Sequence, residues 1–484
     1  MNRGMHAMLL RLLAGFFFTA LTGCAGFPGF PRQQQPLHLN NAAPLDGLQA
    51  QGGGAWPSPE WWKRYQDATL DRLIELALAD SPTLANALAR FESAQQSVRL
   101  AAAQAGAHVS ANGDITRQRL SDNGFIPPNL LGFTWYNQAD LGLQVTYTFD
   151  WWGKQRFAVQ AAMDQAHAAQ ADRSAALLVL ASSVAETYFG WQADQNRLLL
   201  AREKESAVQM EGDIAAARVR AELDSDESLH RSDLALAAAR EQIDLLRGSA
   251  NLRVVALAAL LAKSPAELPP LQAKEIPVLP GALPDDVTLD LISRRADVIA
   301  SLWRVEAAEK KLASARAEFF PDLSINLLLG VSSVDVGRLL EYGSRVPMAG
   351  AAIHLPIFDG GRLKAQYGSA QADIDSAVAA YQDTVISAAR EVATQATTIA
   401  RIDAQRRQRI IAMDAALQIK ESAAARVRQG IADARTELAA AESWMDQRDA
   451  GLQLDAAALV ADVSLQRALG GGYSMSANPA AGTP

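Results

Sequence analysis

One cysteine, Cys24, occurs in 484 residues, which excludes an intrachain disulfide framework and any multi-cysteine zinc site. The six histidines, at 6, 38, 108, 167, 230 and 354, lie apart without ligand spacing, so no metal site is expected. No Gly-x-Ser-x-Gly element and no phosphate-cradling loop is present, and an enzymatic reading has no residues to rest on. Basic residues fall short of acidic ones, 45 against 53, for a net charge of −8. A general nucleic-acid binder would show a basic face instead, and no nucleic acid is expected as a partner. After the N-terminus no stretch of eighteen residues is free of charge, which excludes a multi-span helical membrane protein.

Proline is missing from two long stretches, 154–264 and 357–478, while six prolines crowd into Pro265 to Pro284. The proline-free stretches are rich in Ala, Leu, Gln, Arg and Glu, all good helix formers. A continuous helix from Lys154 to Arg220 would run on the order of 100 Å at 1.5 Å per residue. Small residues recur seven apart at Ala162, Ala169, Ala176 and Ser183, and at Ala370, Ala377 and Thr384. That spacing suits either a supercoiled seam or the core of a plain Ala-rich bundle.

The two stretches repeat each other. "AAARVR" stands at 215–220 and again at 423–428, Phe149–Asp150 recurs as Phe358–Asp359, and Leu257 and Leu261 recur as Leu465 and Leu469. A near-constant offset over separated landmarks indicates an internal duplication. The expected division is a signal peptide at 1–23, an extended N-terminal segment at 24–60, a first repeat at 61–264, a Pro-rich linker at 265–284, a second repeat at 285–473 and a disordered tail at 474–484. Each repeat reads as a helix, two strands and a long helical hairpin. "HVSANGDITRQ" and "ADLGLQVTYTFD" are the strands of the first repeat, "DLSINLLLG" and "GAAIHLPIFD" those of the second. Asp150 and Asp359 stand at the strand-to-helix junctions, where a carboxylate caps free N–H groups, and Gly153, Gly360 and Gly361 supply the turn. Four alternating strands cannot close a membrane barrel alone, which suggests several chains sharing one.

The N-terminus has a basic start at Arg3 and Arg11, an apolar stretch from Leu12 to Leu21, and small residues before Cys24. That is a secretory signal. Cys24 is either an incidental small residue near the cleavage site or the lipid acceptor of the bacterial lipoprotein pattern, which Leu21, Thr22, Gly23 and Cys24 resemble at each position. A covalent lipid on Cys24 is the one addition expected, with no other cofactor.

Taken together, "WWKRYQDATL" at 61–70, "FDWWGKQR" at 149–156, "RRADV" at 294–298, "AEFFPDLS" at 317–324, "LPIFDGGRL" at 355–363 and "LQRALGGGY" at 465–473 resemble the signatures of the TolC-type outer-membrane efflux factors, lipoprotein branch. The resemblance implies an α+β, internally duplicated fold with two β-hairpins per chain. It further implies a homotrimer whose twelve-strand transmembrane β-barrel continues into a periplasmic α-helical barrel. Such ducts dock to a periplasmic membrane-fusion adaptor and an inner-membrane pump, and export drugs or small toxic or aromatic compounds. The lipid-anchored chain would sit in the outer membrane and span the periplasm. The helix turns around 220–232 and 428–437 would carry the periplasmic mouth, with Asp224, Asp226, Gly430, Asp433 and Arg435 as gate and tip candidates. Glu222 stands where the family's first turn would have glycine. Phe319 and Phe320 suit the membrane interface or packing beneath the barrel. A periplasmic coiled-coil adaptor or structural lipoprotein is the alternative, although it would not need two strand pairs at equivalent places.

Overall fold

The computed structural model describes residues 54–123, 128–277 and 293–474. Cys24, the signal segment and all but Ser474 of the tail lie outside the described residues. Two compact units form. One comprises Ser97–Met163 and Val305–Ala379; the other takes 54–96 with the described parts of Asp164–Arg304 and 380–474. Each unit therefore draws on both halves of the sequence.

The first unit is built on one antiparallel sheet in the order β1-β2-β3-β4, formed by β1 (His108–Arg119), β2 (Trp135–Phe149), β3 (Asp322–Ser333) and β4 (Arg345–His354). The two hairpins join where β2 pairs with β3, with Leu141 opposite Val331, Leu143 opposite Leu329 and Tyr147 opposite Ile325. In the second repeat the strand expected to run to Asp359 stops at His354. The β3–β4 ladder ends at the Asp322–His354 pair, so Leu355 to Phe358 lie beyond it, and Pro356 has no N–H with which to extend it.

Helices match between repeats. In the first repeat α1 (Ala68–Asp80) and α2 (Pro82–Gln104) lead to β1, and a short α3 (Pro128–Leu131) follows it. The first repeat thus opens with two helices, where one was expected, because Pro82 breaks the run and begins the second. α4 (Lys154–Arg220) has 67 residues, as does α7 (Arg362–Arg428); α5 (Asp226–Leu260) and α8 (Ala434–Ala468) have 35 each. α6 (Ala296–Ala317) precedes β3 as α2 precedes β1. Heptad spacing is realised along α7, where Val378, Val385, Val392 and Ile399 are buried seven apart, and so are Ile374, Tyr381 and Ala388. Ala377 and Thr384 on α7 are only half-buried, as are Ala162, Ala169, Ala176 and Ser183 on α4, whereas Ala370 is buried. Larger side chains fill the seam because they remove more apolar surface from water.

The core of the second unit gathers around the start of the described chain. Trp61, Trp62 and Tyr65 lie in a short 3-10 turn and are buried with Leu70, Leu73, Ile74, Tyr188 and Phe189. Asp67 caps α1 by accepting from Thr69 N, and also accepts from Tyr188 Oη (2.7 Å) and Lys274 Nζ (2.6 Å). Partial burial opposes its charge, yet these three hydrogen bonds outweigh it and hold the carboxyl below the ordinary range. The described part of the Pro-rich segment is pinned here, since Lys274 N donates to Gln192 Oε1 and Gln192 Nε2 donates to Gln272 O.

Candidate functional site

Two places bear on function: the faces of the sheet, and the turns that close the helical hairpins. Alternation along the strands separates the faces. One carries Val109, Ile115, Leu141, Leu143, Val145, Tyr147, Leu327, Leu329 and Ile353; the other carries Ser110, Asn112, Asp114, Gln138, Asp140, Gln144, Thr146 and Asn326. Leu141, Leu143, Leu329, Ile115 and Ile353 remain exposed on the apolar face, which no soluble sheet would leave so. Along β2 from Phe149 to Ala139, at about 3.3 Å per residue and about 40° of tilt, that face is roughly 25 Å tall. Aromatics flank it, with Phe133 and Trp135 at the loop end and Tyr147, Phe149, Trp151 and Trp152 at the junction end. The outer edges of β1 and β4 have no partner strand among the described residues. Among the described residues no helix is long and apolar enough to cross a membrane.

At the far ends of the hairpins the two turns have the same backbone. Glu222 N donates to Val219 O and Leu223 N to Arg218 O; Gly430 N donates to Val427 O and Ile431 N to Arg426 O. This is the Schellman closure, with a left-handed residue after the helix. Gly430 supplies it at φ +72 and Glu222 at φ +59. The departure from glycine in the first turn therefore leaves its geometry unchanged.

Side chains bridge the turns. Arg435 Nη1 donates to Asp224 Oδ2 (3.3 Å) and Nη2 to Asp433 Oδ2 (3.3 Å), while Arg218 Nε donates to Asp224 Oδ2 (3.4 Å). Asp433 Oδ1 caps α8 by accepting from both the N and Oγ1 of Thr436 (3.1 Å each). The Thr436 amide, then its hydroxyl and Arg435, hold the Asp433 carboxyl below its ordinary range. Ion pairs this exposed contribute at most about 1 kcal/mol each, so the network holds the turns without locking them.

The family model described as "Outer membrane efflux protein" matches residues 73–263 and 289–471. The chain belongs to this family. The efflux protein is 29% identical to the multidrug resistance outer membrane protein MdtP of Escherichia coli strain K12 over 479 residues, which cover 98% of each chain. It superposes on the outer membrane protein VceC of Vibrio cholerae with a TM-score of 0.78 at 31% identity, covering 86% of this chain and all of the other. The Campylobacter jejuni outer membrane channel CmeC, at 21% identity and a TM-score of 0.81, shares the fold. The protein is an outer-membrane exit duct for efflux, in a family of channels rather than enzymes.

Of the tip residues read from the sequence of this efflux protein, Asp224, Asp433 and Arg435 come together and Gly430 shapes the turn beside them. Asp226 stands outside the network, in the first turn of α5, where its charge meets the positive end of the helix dipole. Arg218 belongs to the network and was not foreseen, although it is the duplicate of Arg426 in the repeated "AAARVR". At the junctions Asp150 accepts from Gln155 N and Arg156 N, and Asp359 from Gly361 N and Leu363 N. Gly153, Gly360 and Gly361 all have positive φ there. Phe320 stacks on Trp152 at 4.5 Å, whose Nε1 donates to Pro321 O, and Phe319 meets Tyr367 edge-on; both phenylalanines are half-buried. The exposed aromatics of that rim are instead Tyr147, Trp151, Trp152 and Phe358, the last 92% exposed.

Proposed function

We propose that three copies of this chain share one twelve-strand barrel in the outer membrane and extend their helices as a duct through the periplasm. The observation that carries this reading is the single four-stranded sheet, apolar on one exposed face and unpaired at both edges. Pairing β4 of one copy with β1 of the next, three times over, leaves no polar backbone edge in hydrocarbon. The duct receives its cargo from a periplasmic adaptor and an inner-membrane pump, which supply the energy, and the chain itself performs no chemistry. The name of MdtP, a multidrug resistance outer membrane protein, supports drugs as the cargo, and other small toxic or aromatic compounds belong to the same reading. Cys24 carries a lipid in this reading, as an accessory tether, at about 0.8 kcal/mol for each methylene buried. Electrophoresis of unboiled outer membranes tests the assembly: a detergent-resistant trimer is expected, and a monomer sinks the proposal.

The hairpin turns are the movable mouth of the duct. Asp224 and Arg435 tie the two turns of one chain, and three such ties around an axis narrow the opening. Asp224→Ala and Asp433→Ala should each raise single-channel conductance, and unchanged conductance in both removes these residues from the gate.

A further inference from the structure

The outward face of the sheet does not end in apolar residues. On β1 the alternation that turns Val109, Ala111 and Ile115 outward continues to Arg117 and Arg119. On β4 the alternation of Ile353, Ala351 and Ala349 continues through Pro347 to Arg345. All three arginines are exposed and stand at the loop end of the strands, away from the helix junctions. The same face at the junction end carries Phe149, Leu323 and Ile353 and no strand arginine. This asymmetry points to a difference between the two leaflets.

Two of the guanidinium groups lie over aromatic rings. Arg117 lies over Trp135 with 5.7 Å to the ring centroid, and Arg345 over Tyr342 with 4.4 Å. Among the described residues neither has a carboxylate within ion-pair distance, whereas Arg119 pairs with Asp122 at 3.2 Å. A guanidinium over a ring and without an ion-pair partner keeps N–H donors free, and its fork matches a phosphate in bidentate fashion. An arginine on the lipid face costs about 2–4 kcal/mol at mid-membrane but only about 0–1 kcal/mol near the interface, so these positions admit the charge where phosphates lie.

We infer that Arg117 and Arg345, with the rings they lie over, form a collar that binds the phosphate groups of the phosphorylated saccharolipid of the outer leaflet. The inference rests on the strands crossing the outer membrane and goes beyond the efflux role. Its occupant follows from charge complementarity and from the side of the membrane on which the arginines sit. The collar fixes the vertical seat of the barrel and fills the outer ring of lipid around it.

The test uses the purified full chain in detergent, with lipid retention read by native mass spectrometry. The probes are bisphosphorylated lipid A, lipid A stripped of its phosphates, and phosphatidylglycerol. The wild type should retain bisphosphorylated lipid A best, and Arg117→Gln with Arg345→Gln should weaken that retention about tenfold or more. Arg117→Lys with Arg345→Lys keeps the charges without the fork and should fall between, and it carries the comparison if the glutamine variant fails to assemble. Equal retention by wild type and variants overturns the collar, as does equal retention of the stripped lipid or of phosphatidylglycerol. Unboiled electrophoresis of the same samples separates the two failures: a monomeric wild type counts against the shared barrel, and lost lipid selectivity in an intact trimer counts against the collar.

Discussion

Glu222 and Gly430 occupy equivalent points in the duplicated chain, as do Ala262 and Gly470, and all four have positive φ. The first repeat places side chains where the second places glycine. A left-handed L-residue costs about 1–2 kcal/mol, so Glu222→Gly should stabilise its hairpin by up to about 1 kcal/mol once glycine's greater chain entropy is deducted. Gly430→Ala should cost about 1 kcal/mol, since nothing lies near the added Cβ. Gly470→Ala should cost more, roughly 2–5 kcal/mol, because its Cβ would overlap the carbonyl oxygen of Arg294 as well. Thermal unfolding of the three variants gives the order directly, and equal losses at 430 and 470 would contradict it. Asp433 adds a pH dependence. Its carboxyl is held below the unfolded-state value, so its contribution is present above that value and is lost as pH falls through the lower folded one. The protection of the Thr436 amide relative to its intrinsic exchange rate should therefore fall in acid, and Asp433→Asn should remove that pH dependence of protection.

At the scale of elements, equal helix lengths follow from the duplication, and the near-constant offset read from "AAARVR" and "FD" anticipates them. The strand pairs were legible from alternation, which reports one wet and one apolar face. The end of β4 was not, because Phe358–Asp359 duplicates Phe149–Asp150 in sequence while the β3–β4 ladder reaches only to the Asp322–His354 pair. The heptad seam was legible as a period but not as a register: small residues mark close approach and leave open which neighbouring positions turn inward. Motif "RRADV" acquires a physical reason in Arg295, only 7% exposed, which donates to Asp297, to Glu391 Oε2 (2.8 Å) and to Ala468 O (2.9 Å). It ties the start of α6 to α7 and to the end of α8. Arg295→Ala should cost about 1–3 kcal/mol, chiefly by leaving the buried Ala468 carbonyl unpaired while Asp297 and Glu391 keep access to water, and Arg295→Lys should recover only part of it. Denaturant unfolding of the second unit's helices measures both; full recovery by lysine would reduce the role to charge alone.

For the whole molecule, the proposed shared barrel makes the edges of β1 and β4, unpaired among the described residues, the determinant of assembly, and a lipid on Cys24 would be subordinate to them. Cys24→Ser should slow processing or assembly while leaving the conductance of assembled trimers unchanged. Assembled Cys24→Ser trimers that fail to conduct would overturn that ranking. The amino-acid sequence by itself determined the duplication, the helix-rich body and the alternating strands, because each is a local pattern of residue types along the chain. Only the tertiary structure decided that the two hairpins form one sheet, that Asp224 of one turn meets Arg435 of the other, and that Arg117 and Arg345 share the outward face. Those pairings join residues about two hundred positions apart, and their register is set by which side chains can leave water together, a condition no local spacing contains.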